Sequence, residues 1–70
     1  MRLSARNQLP GTVVSVKNGV VTAEVVVQLA GGDQIVSVIT QDSVKSLGLK
    51  KGSRVRAIIK STDVMIAADA

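Results

Sequence analysis

The stretch TVVSVKNGVVTAEVVVQL, residues 12–29, decides the fold class. Eight of its eighteen residues are valine, and β-branched residues at this density favour strands over helices. Asn18-Gly19 in its middle is typical of a two-residue hairpin, because both residues tolerate the positive φ of a type I′ turn. The stretch therefore predicts two antiparallel strands, residues 12–17 and 20–29.

Two predicted strands have apolar residues on both faces: the second, and a third at residues 34–40, where Ile35 and Ile39 lie opposite Val36 and Val38. On the first strand, Thr12, Val14 and Val16 share one face, and Val13, Ser15 and Lys17 share the other. On the second strand, every other residue from Val21 to Leu29 is apolar, and Val20 and Val26 add apolar surface opposite. So short a chain cannot cover two faces by itself, which indicates a subunit interface and a homo-oligomer.

Outside the hairpin, turn residues divide the chain into short elements. A turn at residues 30–33 precedes a third strand, Gln34 to Thr40. Thr40 is a helix N-cap and Gly48 a left-handed stop, so one short helix follows that strand. The alternating pattern of residues 54–60 predicts a fourth strand, and residues 64–67 a short fifth one. This order predicts a mainly β fold, an OB-like five-stranded barrel with one short helix between strands 3 and 4.

Composition excludes several classes of function. The chain has 70 residues, which we expect to form a single domain, 1–70, and it contains no cysteine, histidine or aromatic residue. Disulfides, thiolate metal sites and histidine-activated nucleophiles are therefore absent. The five carboxylates are scattered and form no cation site or acid/base pair. We therefore expect that the protein is not an enzyme, and that it has no catalytic residue, no resident metal ion and no other cofactor.

The start of the chain indicates a cytoplasmic protein. Residues 1–8, MRLSARNQ, contain no apolar run long enough for a signal-peptide core. The densest apolar region, residues 20–30, is interrupted by polar side chains and is shorter than a membrane span. We expect no membrane partner.

Three donor-rich clusters could bind a small anion. They are Ser4-Ala5-Arg6-Asn7, Thr40 to Ser43 at the start of the predicted helix, and Lys60-Ser61-Thr62 at a strand end. Hydroxyls, free N–H groups at a helix start and one or two cations suit an oxyanion. Each cluster also has an ordinary local explanation, as a tail, a helix cap or a turn.

The formal charge of +4 leaves a second function open, a nonspecific nucleic-acid-binding OB-like module. OB-folds that bind single strands stack bases on aromatic side chains, and this chain has none. Nucleic acid is therefore the weaker alternative. A purely structural oligomerisation module is a third.

The sequence also resembles a known family. Ser4-Ala5-Arg6-Asn7-Gln8-Leu9-Pro10-Gly11 is similar to the opening signature of the Mop domain, or molbindin, a family of small molybdate-binding proteins. The likeness continues through Asn18-Gly19, Ile39-Thr40, Leu47-Gly48-Leu49 and residues 59–66, IKSTDVMI, without gaps.

This resemblance implies intracellular storage or buffering of molybdate or tungstate by an OB-like homohexamer, a trimer of dimers. The oxyanion would lie between subunits, with the serine and arginine of the opening signature meeting side chains of a neighbour. By motif match the binding residues are Ser4, Ala5, Arg6, Thr40, Ser43, Lys60 and Ser61. A second class of site near the threefold axis would involve the backbone of Gly19 and Val20.

Overall fold

The computed structural model describes residues 2–69, which fold around one antiparallel sheet. The elements are β1 (Asn7–Asn18), β2 (Thr22–Leu29), β3 (Gln34–Thr40), α1 (Gln41–Leu47), β4 (Arg54–Ile59) and a 3₁₀ turn (Ser61–Asp63). The strand order is β3-β2-β1-β4. The predicted mainly β class and the position of the helix between strands 3 and 4 are confirmed.

The core lies on one face of the sheet and consists of small aliphatic side chains. Its buried members are Val13, Ala23, Val25, Val27 and Val44. Ladder pairing explains the set, since Val13 pairs with Val27 and the alternate residues of β2 face the same side. Val44 of α1 packs onto this face, so the short helix is stabilised by tertiary contacts.

The predicted faces of β1 are wrong beyond Val13 because the strand contains a bulge. The β1–β2 register shifts between Val13 and Ser15, so Val14 is the extra residue. A bulge moves every later side chain to the other face. Val13 lies before the bulge and is buried, and Val16, which was predicted on the opposite face, therefore also packs against the core.

The first strand starts earlier than the predicted residue 12, so that Pro10 and Gly11 lie inside it. β1 begins at Asn7, and residues 7–10 pair with β4 alone, beyond the last β2 partner at Gly11. Proline lacks an N–H donor and is tolerated where a strand has one neighbour. Gly11 lies where β1 pairs with both β2 and β4.

The turn after β1 also differs from the predicted type I′ hairpin. Within residues 2–69 positive φ occurs at Gly32, Gly48 and Gly52, and therefore at neither Asn18 nor Gly19. The Gly19 N–H instead donates to the Thr22 carbonyl at 2.8 Å, and Val20 and Val21 form the tip. As a result β2 starts at Thr22, two residues later than predicted.

The helix follows the sequence prediction at both ends. Thr40 caps its first turn, and Gly48 ends it with φ of 64°. In the part of the chain that the structure describes, no helix is long and apolar enough to cross a membrane.

The predicted fifth strand does not form, so the five-stranded barrel is wrong for residues 2–69. Four strands are present, and residues 64–69 form no regular element. A strand needs a partner edge for its hydrogen bonds, and residues 64–69 make no ladder with β4. Met65 and Ile66 are 93% and 88% exposed. The sheet is therefore curled but open, with β3 and β4 as free edges.

Candidate functional site

The first donor cluster precedes β1. Ser4 and Arg6 are exposed, and Ala5 is half-buried. The Gln8 side chain reaches back to this segment, where its Nε2 donates to the Ala5 carbonyl at 3.1 Å. The Ser4 and Arg6 side chains thus project into solvent from a backbone that is held at Ala5.

The second cluster, Lys60 and Ser61, lies at the opposite end of the chain but at the same end of the sheet. β1 and β4 are antiparallel, and Asn7 pairs with Ile59. Arg6 and Lys60 are the next residues beyond that pair, so the β1–β4 pairing brings their backbones to the same end of the sheet. Both side chains are exposed. The first and second clusters therefore each present one exposed cationic side chain at this end of the sheet.

The third cluster is a hydrogen-bonded pair at the start of α1. Thr40 Oγ1 accepts a hydrogen bond from the Ser43 N–H at 3.1 Å and donates one to Ser43 Oγ at 2.9 Å. The sequence predicted free N–H groups here, and that part is wrong for two positions. The Ser43 N–H is used by the cap, and the Gln41 N–H donates to the Val21 carbonyl at 2.9 Å. The Ser43 hydroxyl keeps its proton as a donor, whereas the Thr40 hydroxyl can donate to an anion only if it releases Ser43 Oγ.

The sheet places the third cluster away from the first. Thr40 pairs with Thr22 at the end of the β2–β3 ladder, which lies beside Asn18 at the far end of β1. β1 spans 12 residues, and a strand of that length extends about 36 Å along its path, although curling shortens the direct distance. Among the hydrogen bonds of residues 2–69, none joins Thr40 or Ser43 to the first cluster.

The predicted second site, Gly19 and Val20, lies at the tip of the β1–β2 turn. Val20 is 96% exposed. Gln41 fixes this turn from the start of α1, because its Nε2 donates to the Gly19 carbonyl while its backbone N–H bonds Val21. The turn is thereby tied to the residue that follows Thr40.

Two residues in these contacts, Gln8 and Gln41, were not identified as functional from the sequence. Gln8 stands inside the opening signature, but its hydrogen bond depends on how residues 5–8 turn into β1. Gln41 contacts a residue 22 positions away. A single glutamine next to a helix cap belongs to no sequence pattern that predicts such a contact.

A metal centre and an enclosed pocket find no support in the described residues. No group of three or more His, Cys, Asp or Glu side chains among them is placed to hold a metal ion. A groove of about 470 Å³ runs between the free edges of β3 and β4, and its lining is mainly apolar. None of the candidate residues lines this groove.

Comparisons with known proteins agree over nearly the whole chain. The family model described as TOBE domain matches residues 3–66. Molybdenum-pterin-binding protein 3 of Clostridium pasteurianum is 60% identical over 68 residues, which make up 97% of this chain and 100% of that protein.

Solved structures confirm the fold at similar coverage. A molybdate binding protein from Sporomusa ovata has a TM-score of 0.92 and 37% identity, covering 97% of this chain and 100% of that one. The cytoplasmic molybdate-binding protein ModG, in a molybdate-bound form, has a TM-score of 0.84 and 49% identity, covering 87% of this chain and 43% of that one. The chain belongs to the TOBE domain family, and its resemblance to the Mop proteins is confirmed.

Proposed function

We propose that this protein binds molybdate or tungstate as the free oxyanion, and that it stores or buffers the anion without catalysis. The observation that carries the proposal is the full-length similarity to a molybdenum-pterin-binding relative, together with candidate clusters that offer hydroxyls, amides and two cations. One relative is named for binding molybdenum-pterin, and two similar structures are named for binding molybdate. The comparisons give no support to the nucleic-acid alternative.

The proposed binding residues are those of the three clusters: Ser4, Ala5, Arg6, Thr40, Ser43, Lys60 and Ser61. Arg6 and Lys60 together match the charge of a dianion, and their hydrogen bonds to it are charge-assisted. Serine and threonine hydroxyls donate to the remaining oxygens and add no formal charge. No other cofactor is required.

We place the anion between copies of the chain, in a homohexamer built as a trimer of dimers. Two observations support a shared site. The candidate side chains are exposed or half-buried, so one chain cannot exclude water around the anion, and Arg6 and Thr40 leave the sheet at opposite ends of β1. The face of β3 opposite the core also exposes Val36 and Val38 at 61% and 66%, which is apolar surface of the kind that subunits cover.

Two further features of the proposal concern the second site and the location of the protein. The second class of site would use the backbone of Gly19 and Val20 at the exposed turn that Gln41 holds.

The seventy residues would act as one binding domain in the cytoplasm. The similarity to ModG, which is described as cytoplasmic, supports that location.

Calorimetric titration of the purified protein tests the proposal. Molybdate and tungstate should each release heat and saturate, whereas sulfate and phosphate at the same concentrations should bind much more weakly. Binding of sulfate without binding of molybdate would refute the assignment. Metal analysis of the protein as purified adds an independent check, since a storage protein should carry molybdenum or tungsten from the cell.

A further inference from the structure

The Gln8 side chain uses both ends of its amide. Its Nε2 donates to the Ala5 carbonyl at 3.1 Å in a half-buried position. Its Oε1 accepts a longer hydrogen bond, 3.4 Å, from Nη1 of Arg56 on the neighbouring strand β4. Gln8 therefore connects β4 to the segment that carries Ser4 and Arg6.

The chemistry of the two partners leaves one orientation for this amide. A guanidinium can only donate, so the oxygen of the amide must face Arg56. A backbone carbonyl can only accept, so the NH₂ group must face Ala5. Glutamate, which has the same shape, would turn a second acceptor toward the Ala5 carbonyl and could not replace Gln8.

The segment held in this way has little other support. Residues 2–6 lie outside the strands, and Ser4 and Arg6 are exposed. Within residues 2–69, no side-chain hydrogen bond other than that of Gln8 reaches this segment. A binding group on a mobile segment must be ordered when the ligand binds, and that ordering weakens affinity.

We infer that Gln8 is a positioning residue of the anion site, and that Arg56 orients the Gln8 amide. Gln8 fixes the Ala5 carbonyl and with it the backbone from which the Ser4 hydroxyl, the Ala5 N–H and the Arg6 guanidinium reach the anion. Neither Gln8 nor Arg56 touches the ligand. This inference rests on the proposed function, since it assigns the segment a role in binding molybdate.

The main variant is Gln8→Met, which is neutral, has a similar length and removes both hydrogen bonds. We expect molybdate affinity to fall about three- to tenfold, the range that corresponds to one ordinary hydrogen bond. The thermal unfolding midpoint of the ligand-free protein should stay close to that of the wild type, because the lost bonds lie at the edge of the fold.

Trypsin supplies a readout that needs no ligand. The bond between Arg6 and Asn7 adjoins the held segment, and cleavage there, identified from fragment masses, should be faster in ligand-free Gln8→Met than in the wild type. Gln8→Glu should also be cleaved faster, even though its carboxylate pairs more strongly with Arg56. A merely structural contribution of the side chain would leave this local rate unchanged at equal stability.

Arg56 has a matched control two residues away on the same strand. Arg54 and Arg56 are both exposed on β4, but only Arg56 contacts Gln8. Arg56→Ala should weaken molybdate binding about two- to threefold and speed cleavage at Arg6, while Arg54→Ala, which removes the same charge, should do neither. Equal effects of the two variants would overturn the role of Arg56.

The outcomes separate this inference from the proposed function. If the wild type fails to bind molybdate, the proposed function is wrong, and the trypsin rates still test whether Gln8 holds the segment. If the wild type binds and Gln8→Met binds equally well with an unchanged cleavage rate, the positioning role is wrong. Should Gln8→Met unfold, Arg56→Ala tests the same connection from the protein surface.

Discussion

At the scale of single residues, the proposed site depends on two cationic side chains whose charges together match that of the anion. Arg6 and Lys60 follow the terminal pair of the β1–β4 ladder, and no candidate ligand other than these two carries a positive charge. Removing either one leaves half of the dianion charge uncompensated. A hydrogen bond to a charged group typically contributes about 1.5–3 kcal/mol, more than the neutral bonds from the hydroxyls.

Arg6→Ala and Lys60→Ala should therefore each weaken molybdate binding by about tenfold or more in calorimetric titrations. Arg2→Ala and Lys51→Ala are the matched controls, since they remove one exposed cation of the same type from outside the clusters. The controls should retain wild-type affinity apart from a small general loss of positive potential. Equal losses in all four variants would mean that net charge, and not a site, attracts the anion.

Gly11 is a residue whose role concerns the fold and not the ligand. A Cβ at this position would lie 2.6 Å from Val27 Cγ1 and 2.7 Å from the Gln28 carbonyl oxygen, closer than real Cβ contacts. Gly11→Ala should lower the free energy of unfolding by about 1–3 kcal/mol, the usual cost of overpacking. In thermal unfolding of the ligand-free protein, Gly31→Ala should have almost no effect, because nothing lies within 4 Å of its Cβ position. Equal midpoints for the two variants would contradict the close packing of β1 on β2.

At the scale of secondary-structure elements, α1 is the one most dependent on a single side chain. It has seven residues, too few to be stable without capping and packing, and Thr40 supplies the cap. Thr40→Ala should destabilise the ligand-free protein by about 0.5–2 kcal/mol in denaturant unfolding, whereas Thr40→Ser should retain most of the stability. If the alanine and serine variants unfold at the same denaturant concentration, the cap makes no measurable contribution to the free energy of unfolding.

The elements also show which features can be predicted from sequence. Thr40 and Gly48 bound the helix correctly because capping and left-handed geometry are local properties of these residues. The bulge at Val14, the non-I′ turn at Gly19 and the missing fifth strand were not predicted, because each depends on which strand lies alongside. The candidate clusters were predicted from their donors and from the resemblance to the Mop domain, whereas the Gln8 contact required the tertiary structure.

At the scale of the whole molecule, the chain buries little and exposes much. Five apolar residues are buried within residues 2–69, and none of them is larger than valine. Val20, Met65 and Ile66 are all more than 85% exposed. A 70-residue domain without disulfides or metal is marginally stable, and apolar surface of this kind gains stability when other subunits cover it. Ligand binding between subunits would then stabilise fold and assembly together.

That coupling predicts how size and stability respond to the ligand. Light scattering should give a mass of several chains, and the unfolding midpoint should rise with protein concentration. Molybdate at about a hundred times its dissociation constant should add about 2.7 kcal/mol of stability, whereas sulfate should add almost none.

The exposed surface formed by Val36 and Val38 on β3 tests whether subunits cover it. The double variant Val36→Thr, Val38→Thr keeps side-chain shape but makes this surface polar, so it should weaken the assembly more than Val64→Thr, a substitution outside the sheet. Since the proposed anion site is divided between copies, the double variant should lose molybdate affinity as well as mass. A single-chain mass for the wild type with and without molybdate would refute the shared site.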